Sequence, residues 1–297
     1  MKILLFGKNG QVGWELQRSL APLGELIALD RQSVNGLSGG LSDTEALRST
    51  IRKAAPDFIV NAAAYNSVDR AEAEHELADL VNAQAVDVMA QEARRCNALL
   101  VHYSTDYVFN GCGSTPWREA DVAVPVNRYG ISKLSGEQAI LASGCRHLIF
   151  RTSWVYSARG HNFAKTMLRL AKERETLNVV DDQIGAPTGA ELIADVTAQA
   201  IHQAIRHPAL EGLYHLTSAG EVSWYEYACH VIDYSRSQGE VFAVKTINPV
   251  DTAAYPTPAR RPLNSRLNTQ KLCENFSLHL PDWRSGVTRM LREVLNK

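Results

Sequence analysis

An apolar run at residues 1–6 gives way at once to Gly7-Lys8-Asn9-Gly10-Gln11-Val12-Gly13. The run is short and free of turn residues, which predicts a buried parallel strand. The segment after it, 14–23, carries Trp14, Leu16, Leu20 and Leu23 at helical spacing. A strand, a GxxGxxG turn and a helix in that order are the context a dinucleotide fingerprint requires. The glycines permit a tight turn and let a pyrophosphate approach the backbone at the helix N-terminus. A second apolar run, 26–29, ends at Asp30, about 20 residues past the central glycine, where the fingerprint places a carboxylate for the adenosine ribose. Arg31 follows directly. Asp30 suits the free 2′-hydroxyl of NADH and Arg31 the 2′-phosphate of NADPH, so use of both cofactors is expected. Gly7, Gly10, Gln11, Val12, Gly13, Asp30 and Arg31 are therefore candidate cofactor residues.

Strand and helix signals alternate through the first half. Strands are expected at 57–61, 99–104 and 147–151, and helices at 80–95 and 130–141. Such alternation predicts an α/β fold, a Rossmann-type doubly wound parallel sheet with helices on both faces. Ligands then gather at the carboxyl ends of the strands, where Gly7, Asp30, Asn61, Thr105 and Arg151 fall. The second half is less regular, with a loop at 185–189, a helix at 191–205 and a proline-rich basic loop at 255–262. No linker separates two halves. A smaller, discontinuous C-terminal substrate domain built from several excursions is expected. Residues 1–152, with the helix at 189–206 packed on them, form the expected dinucleotide-binding part, and 153–297 the main part of the substrate domain.

Tyr129 and Lys133 stand four apart in the run 127–133 and project from one helix face. An ammonium beside a phenol favours the phenolate, so a lowered Tyr129 pKa and proton transfer near neutral pH are expected. A YxxxK pair alone is weak evidence, because a solvated helix face yields one by chance. Its place after a nucleotide-binding turn gives it weight. Trp154 reads either as a core aromatic or as a sugar-facing ring. His102, in an apolar strand, reads as a satisfied core histidine. Arg260 and Arg261 read equally as a solvated loop or as a phosphate contact.

Composition narrows the partners. The 297 residues carry a formal net charge of −1 with 21% charged residues, so attraction to nucleic acid or an anionic membrane is not indicated. No apolar stretch approaches the ~20 residues that span a bilayer, and the N-terminus does not read as a secretory signal. Five cysteines lack CxxC spacing, which points to reduced thiols in a cytoplasmic protein.

Longer runs carry a resemblance. They are LLFGKNGQVGWEL at 4–16, DFIVNAAAY at 57–65, HYSTDYVFNG at 102–111, RYGISKLSGE at 128–137, FRTSWVY at 150–156, NFAKTML at 162–168, DDQIGAPTGAELIAD at 181–195 and YPTPARRPLNSRLNT at 255–269. With these the chain resembles the extended short-chain dehydrogenases/reductases, and among them the dTDP-4-dehydrorhamnose reductases. The resemblance implies reduction of the C4 ketone of a dTDP-sugar, dTDP-4-dehydro-β-L-rhamnose, to dTDP-β-L-rhamnose. It implies Tyr129 as proton donor, Lys133 as its partner and ribose ligand, and Thr105 as hydrogen-bond partner of the substrate oxygen. Ala62, Ala63 and Ala64 would line the cofactor, and Thr105, Asp106, Trp154 and Arg261 the substrate. Glu15 and Glu191, otherwise ordinary surface charges, would hold magnesium across a homodimer. A 4-epimerase of the same fold and a non-catalytic NADP-binding regulatory subunit are the alternatives. The second would be expected to show damage to the Thr-Tyr-Lys trio, which is intact.

Overall fold

Successive residues of a strand point to opposite faces of its sheet. In the computed structural model, which describes residues 1–33 and 35–296, the opening strand does this with four apolar side chains. Ile3 and Leu5 enter one cluster with Leu16, Val60, Val101 and Ile193, while Leu4 and Phe6 enter another with Leu47, Ile51, Val86, Met89 and Ile149. Burying such a side chain is worth roughly 1.5–3 kcal/mol. That exceeds the whole ~1 kcal/mol span of strand propensity, so burial on both faces holds the strand in the sheet.

The strands longer than two residues are β1 (Lys2–Phe6), β2 (Glu25–Leu29), β3 (Phe58–Asn61), β4 (Leu99–Thr105), β5 (His147–Thr152), β6 (Thr176–Val180), β7 (Gly212–His215) and β8 (Thr246–Val250). The main helices are α1 (Gln11–Leu20), α2 (Thr44–Ala54), α3 (Ala85–Cys96), α4 (Arg128–Ser143), α5 (Phe163–Glu173), α6 (Ala190–Arg206), α7 (Trp224–Ser237), α8 (Gln270–Phe276) and α9 (Trp283–Leu295). Six strands form a sheet in the order β7-β5-β4-β3-β1-β2, parallel throughout. The chain leaves β1 for β2 on one side and returns as β3 on the other. The carboxyl ends of β1 and β3 thus flank the topological switch point, where open sheets of this kind bind ligands.

Later segments return to this sheet. The Ile193, Ala194, Val196, Ala200, Ile201 and Ala204 side chains of α6 pack in the cluster of Leu16 and Leu20, and Leu272 and Phe276 of α8 join them. A separate cluster joins α5, α7 and α9 through Met167, Leu168, Tyr227, Val231, Trp283, Val287 and Leu291. Beside it β6 and β8 pair in parallel. The last residue of the expected substrate part, 297, lies outside the described residues.

One expected helix differs. Residues 80–95 do not form a continuous α-helix, because Leu80–Gln84 is a wide π turn ahead of α3. The widened turn lets the Asn82 amide clamp the loop after β3: Oδ1 accepts from Tyr65 N (2.9 Å), and Nδ2 donates to Tyr65 O and to Ser132 Oγ. Side-chain geometry of this kind leaves no periodicity in a sequence. Among the described residues, no helix is long and apolar enough to cross a membrane. All five cysteines are free thiols.

Candidate active site

The glycine turn is built by backbone contacts. Gly7 N and Lys8 N both donate to Leu29 O, and Gly10 N donates to Gly7 O at 3.0 Å. Gly7 has a φ of +86°, and a Cβ there would lie 2.8 Å from Ala63 N. A Cβ on Gly13 would lie 2.0 Å from Gly7 O. Side chains at these two places would push the turn off the sheet. Helix α1 starts after Gly10 with no side-chain cap, so its first N–H groups remain open to an anion. Asp30, at the end of β2, accepts from Gln32 N (2.9 Å) and Asn9 Nδ2 (2.8 Å) and pairs with Lys8 at 3.4 Å. These bonds, the first chief among them, hold its carboxyl below the ordinary range. Arg31 is exposed next to it. An open helix terminus, an ionised ribose-site carboxylate and the small Ala62–Ala64 loop fit a dinucleotide. Lys8 was not singled out in the sequence, because only the fold turns its side chain back onto Asp30.

Helix α4 brings Tyr129 and Lys133 to the same crevice. Asn127 caps it, its Oδ1 accepting from Gly130 N at 2.8 Å. The expectation of a lowered tyrosine pKa is not met. Burial pushes the Tyr129 phenol above its ordinary value, the Asp106 carboxylate adds to this, and Thr105 opposes it. Lys133, at 2% exposure, donates instead to Tyr103 O (2.6 Å) and lies 3.3 Å from His102 Nε2. Burial lowers it to about 8, with Glu137 opposing. In a dry crevice desolvation outweighs the single cation. His102 is a core histidine as expected, and it also touches the candidate catalytic lysine.

Thr105 ends β4, its hydroxyl donating to Asp106 Oδ1 (2.9 Å) and accepting from Tyr107 N. Asp106 is 2% exposed; Ser265 neighbours its carboxyl, but among the described residues no partner reaches its buried Oδ2 at hydrogen-bond distance. Burial pushes its carboxyl up to about 6. Arg261 approaches from the proline-rich loop, donating to Asp69 Oδ2 at 2.7 Å and neighbouring the Tyr107 phenol. Arg260 is exposed, and its carbonyl accepts from Asn127 Nδ2. Trp154 takes a left-handed backbone, φ +49°, an outlier for a bulky residue. Its half-buried ring stacks on Trp224 at 3.5 Å between centroids. Trp224 donates to Gln183 Oε1, whose amide donates to Thr252 Oγ1. Trp154 thus packs with the aromatics of the α5, α7 and α9 cluster. Trp224 carries no sequence signal, since it sits in an unremarkable amphipathic helix.

Glu15 and Glu191 lie on neighbouring helices and face one another electrostatically. Burial raises the Glu191 carboxyl, Arg289 opposes, and Glu15 and Glu293 add to the rise. Arg289 pairs with Glu191 at 3.3 Å, and Arg18 bridges Glu15 and Asp195. Among the described residues, no group of three or more His, Cys, Asp or Glu side chains is arranged to hold a metal ion within one chain.

A model of the RmlD substrate-binding domain matches residues 1–296. This chain belongs to the RmlD substrate-binding-domain family. It is 57% identical over 294 residues to the dTDP-4-dehydrorhamnose reductase of Escherichia coli K12, covering 99% of this chain and 98% of the relative. To the reductase of Burkholderia thailandensis it is 49% identical over the full length of both chains. The crystal structure of the Bacillus anthracis reductase in complex with NADP superimposes with a TM-score of 0.87 at 33% identity, covering 98% of this chain and 99% of that one. A Thermus thermophilus UDP-glucose 4-epimerase, at 18% identity and a TM-score of 0.77, shares the fold.

In this RmlD-family chain the burial of Asp106 makes a pH-dependent stability prediction. A carboxyl raised in the folded state penalises folding once ionised. The penalty is absent below its ordinary value of 3.8 and complete above about 6. Two units correspond to about 3 kcal/mol. Asp106→Asn is expected to raise the unfolding free energy by up to that amount at about pH 8, with no gain at about pH 3.5. Urea titrations at the two pH values check it, and an equal effect at both contradicts the assignment.

Proposed function

We propose that this chain reduces the C4 ketone of dTDP-4-dehydro-β-L-rhamnose to dTDP-β-L-rhamnose, the last step of dTDP-rhamnose formation. NADPH or NADH would serve as reductant. The observation that carries the reading is full-length identity of 57% with a named reductase, with Thr105, Tyr129 and Lys133 all present. The nicotinamide, when bound, supplies hydride to the carbonyl carbon. The residues of this chain supply position and protons. The open N-terminus of α1 and Gly10-Gln11-Val12 would hold the pyrophosphate, Asp30 the adenosine ribose, and Lys133 the nicotinamide ribose. Tyr129 donates its proton to the oxygen at C4 as negative charge develops there. The Thr105 hydroxyl hydrogen-bonds the same oxygen. Asp106 and Trp154 would bound the sugar, and Arg261, paired with Asp69, would face the diphosphate. Residues 1–152 with α6 serve the cofactor, and most of 153–297 serves the sugar nucleotide.

Oxidation of NADPH in the presence of dTDP-4-dehydrorhamnose tests the reading, with the unepimerised 4-keto-6-deoxyglucose nucleotide as control. A 4-epimerase would retain nicotinamide through purification, whereas a reductase releases it.

Two copies of the chain would associate across the face formed by α1, α6 and α9. A two-fold axis there doubles Glu15, Glu191 and Glu293, and an oxygen-liganded cation such as magnesium would relieve their repulsion without touching the chemistry. Chelation is expected to shift the protein towards monomer in sedimentation. A monomer at saturating magnesium would leave Glu15 and Glu191 as surface charges paired with Arg18 and Arg289.

Tyr129→Phe keeps the ring and loses the acid. General acid catalysis contributes roughly 10²–10⁴-fold, so kcat should fall at least about 100-fold while NADPH binding, measured by fluorescence, stays nearly unchanged. Retention of more than about a tenth of wild-type kcat counts against Tyr129 as the donor.

Arg31→Ala should raise KM for NADPH and leave that for NADH nearly unchanged, because a guanidinium beside Asp30 can pair with the 2′-phosphate. Steady-state kinetics with both cofactors check this, and equal effects on the two overturn it.

A further inference from the structure

The orientation of one buried amide fixes a proton two residues away in contact space. Asn61 ends β3 at 1% exposure. Its Oδ1 accepts from Ala63 N at 3.1 Å, so the amide nitrogen Nδ2 is the atom that faces His102 Nδ1, at 3.2 Å. An amide nitrogen donates and does not accept, so His102 Nδ1 must present a lone pair. His102 is 1% exposed, and burial together with Lys133 keeps it neutral. A neutral imidazole with a bare Nδ1 carries its proton on Nε2. That N–H faces Lys133 Nζ at 3.3 Å. An ammonium has three donors and no acceptor. The contact is therefore a hydrogen bond only to the amine form of Lys133, which at the same time donates to Tyr103 O. Turning the Asn61 amide over would let His102 accept from an ammonium, but Ala63 N–H would then face an NH₂ group and lose its acceptor.

We propose that Asn61 and His102 are positioning residues for the reductase reaction, favouring the amine form of Lys133 until the nicotinamide ribose arrives. Ribose hydroxyls accept from an ammonium, so cofactor binding draws a proton from solvent onto Nζ, while His102 keeps its own. The titratable and charged groups around Lys133 are few. His102 comes from β4, and Tyr129 and Glu137 share its helix. Glu137 favours the ammonium, but Arg151 from β5 holds it in a bidentate pair at 2.6 and 2.9 Å. A titration of Lys133 near about 8 places the exchange within reach of ordinary assay conditions. The inference rests on the reading of Lys133 as the ribose ligand.

Calorimetric titration of the whole wild-type chain with NADPH and with NADH, in buffers of differing ionisation enthalpy, reads the proton directly. At about pH 8.5, uptake of a substantial fraction of one proton is expected, shrinking towards about pH 7. Binding without uptake at about pH 8.5 overturns the proposal. Asn61→Asp reverses the arrangement with little change of shape. Its carboxylate accepts from His102 Nδ1–H, leaving Nε2 to accept from the Lys133 ammonium. Proton uptake should then fall several-fold, and the alkaline limb of kcat/KM should move up by about one pH unit or more. A folded Asn61→Asp enzyme with wild-type uptake and an unmoved pH profile overturns the proposal. Should the variant not fold, wild-type uptake decides alone. Failure of the reductase reading shows separately, as no NADPH oxidation with dTDP-4-dehydrorhamnose while uptake on cofactor binding persists.

Discussion

Gly7 has no side chain at the point where a Cβ would stand 2.8 Å from Ala63 N and 2.9 Å from Ala62 O. That missing carbon lets the ends of β1 and β3 meet backbone to backbone at the switch point. Everything in the crevice is referred to this contact. Leu29 O receives two N–H groups of the turn, which sets Asp30 beside Lys8 and Asn9. Ala62 N donates to Phe6 O, which starts the alanine loop. Asn61, one residue earlier, turns inward to His102 and through it reaches Lys133. A side chain at residue 7 would move cofactor turn, alanine loop and lysine support together.

Burial then tunes the groups that the turn has gathered. Tyr129 is pushed up, Lys133 down and Asp106 up, and desolvation is the largest cause in all three. Each shift disfavours the charged form. The shifts bring Asp106 to about 6 and Lys133 to about 8, so both exchange protons close to neutral pH while Tyr129 stays a phenol. A low-dielectric site also makes each hydrogen bond within it stronger than in water. The nearby Arg151 and Glu137 side chains meet in a bidentate pair at 2.6 and 2.9 Å.

The cofactor turn is also tied to the later half of the chain. Gln11, in the first turn of α1, accepts from Ser157 Oγ and Asn162 Nδ2, and the Arg159 guanidinium lies 3.8 Å over the Trp14 ring. Asn162 in addition caps α5, accepting from Lys165 N. These bonds tie the glycine turn to α5, which belongs to the separate apolar cluster of α5, α7 and α9. This coupling between the glycine turn and the later half of the chain uses neutral, directional hydrogen bonds and one cation–π contact.

The sequence by itself determined the local grammar: strands of continuous apolar residues, glycines at the turn, an acid after the second strand, and Tyr129 one helical turn from Lys133. These are legible because each depends on neighbours within a few residues. Burial on both faces of a parallel sheet makes strands such as β1 and β4 uniformly apolar, and longer motifs carried the family resemblance. The tertiary structure alone decided how the groups are charged and what they touch. Lys133 reaches Tyr103 O and His102 rather than lowering the Tyr129 pKa, since desolvation depends on everything packed around the crevice. The π turn at Leu80–Gln84, the stack of Trp154 on Trp224 and the grip of Lys8 on Asp30 join residues whose partners lie far off or around a turn. No spacing along a chain encodes a dielectric environment or the aim of a side chain across a crevice, because both arise only when separate elements are packed together.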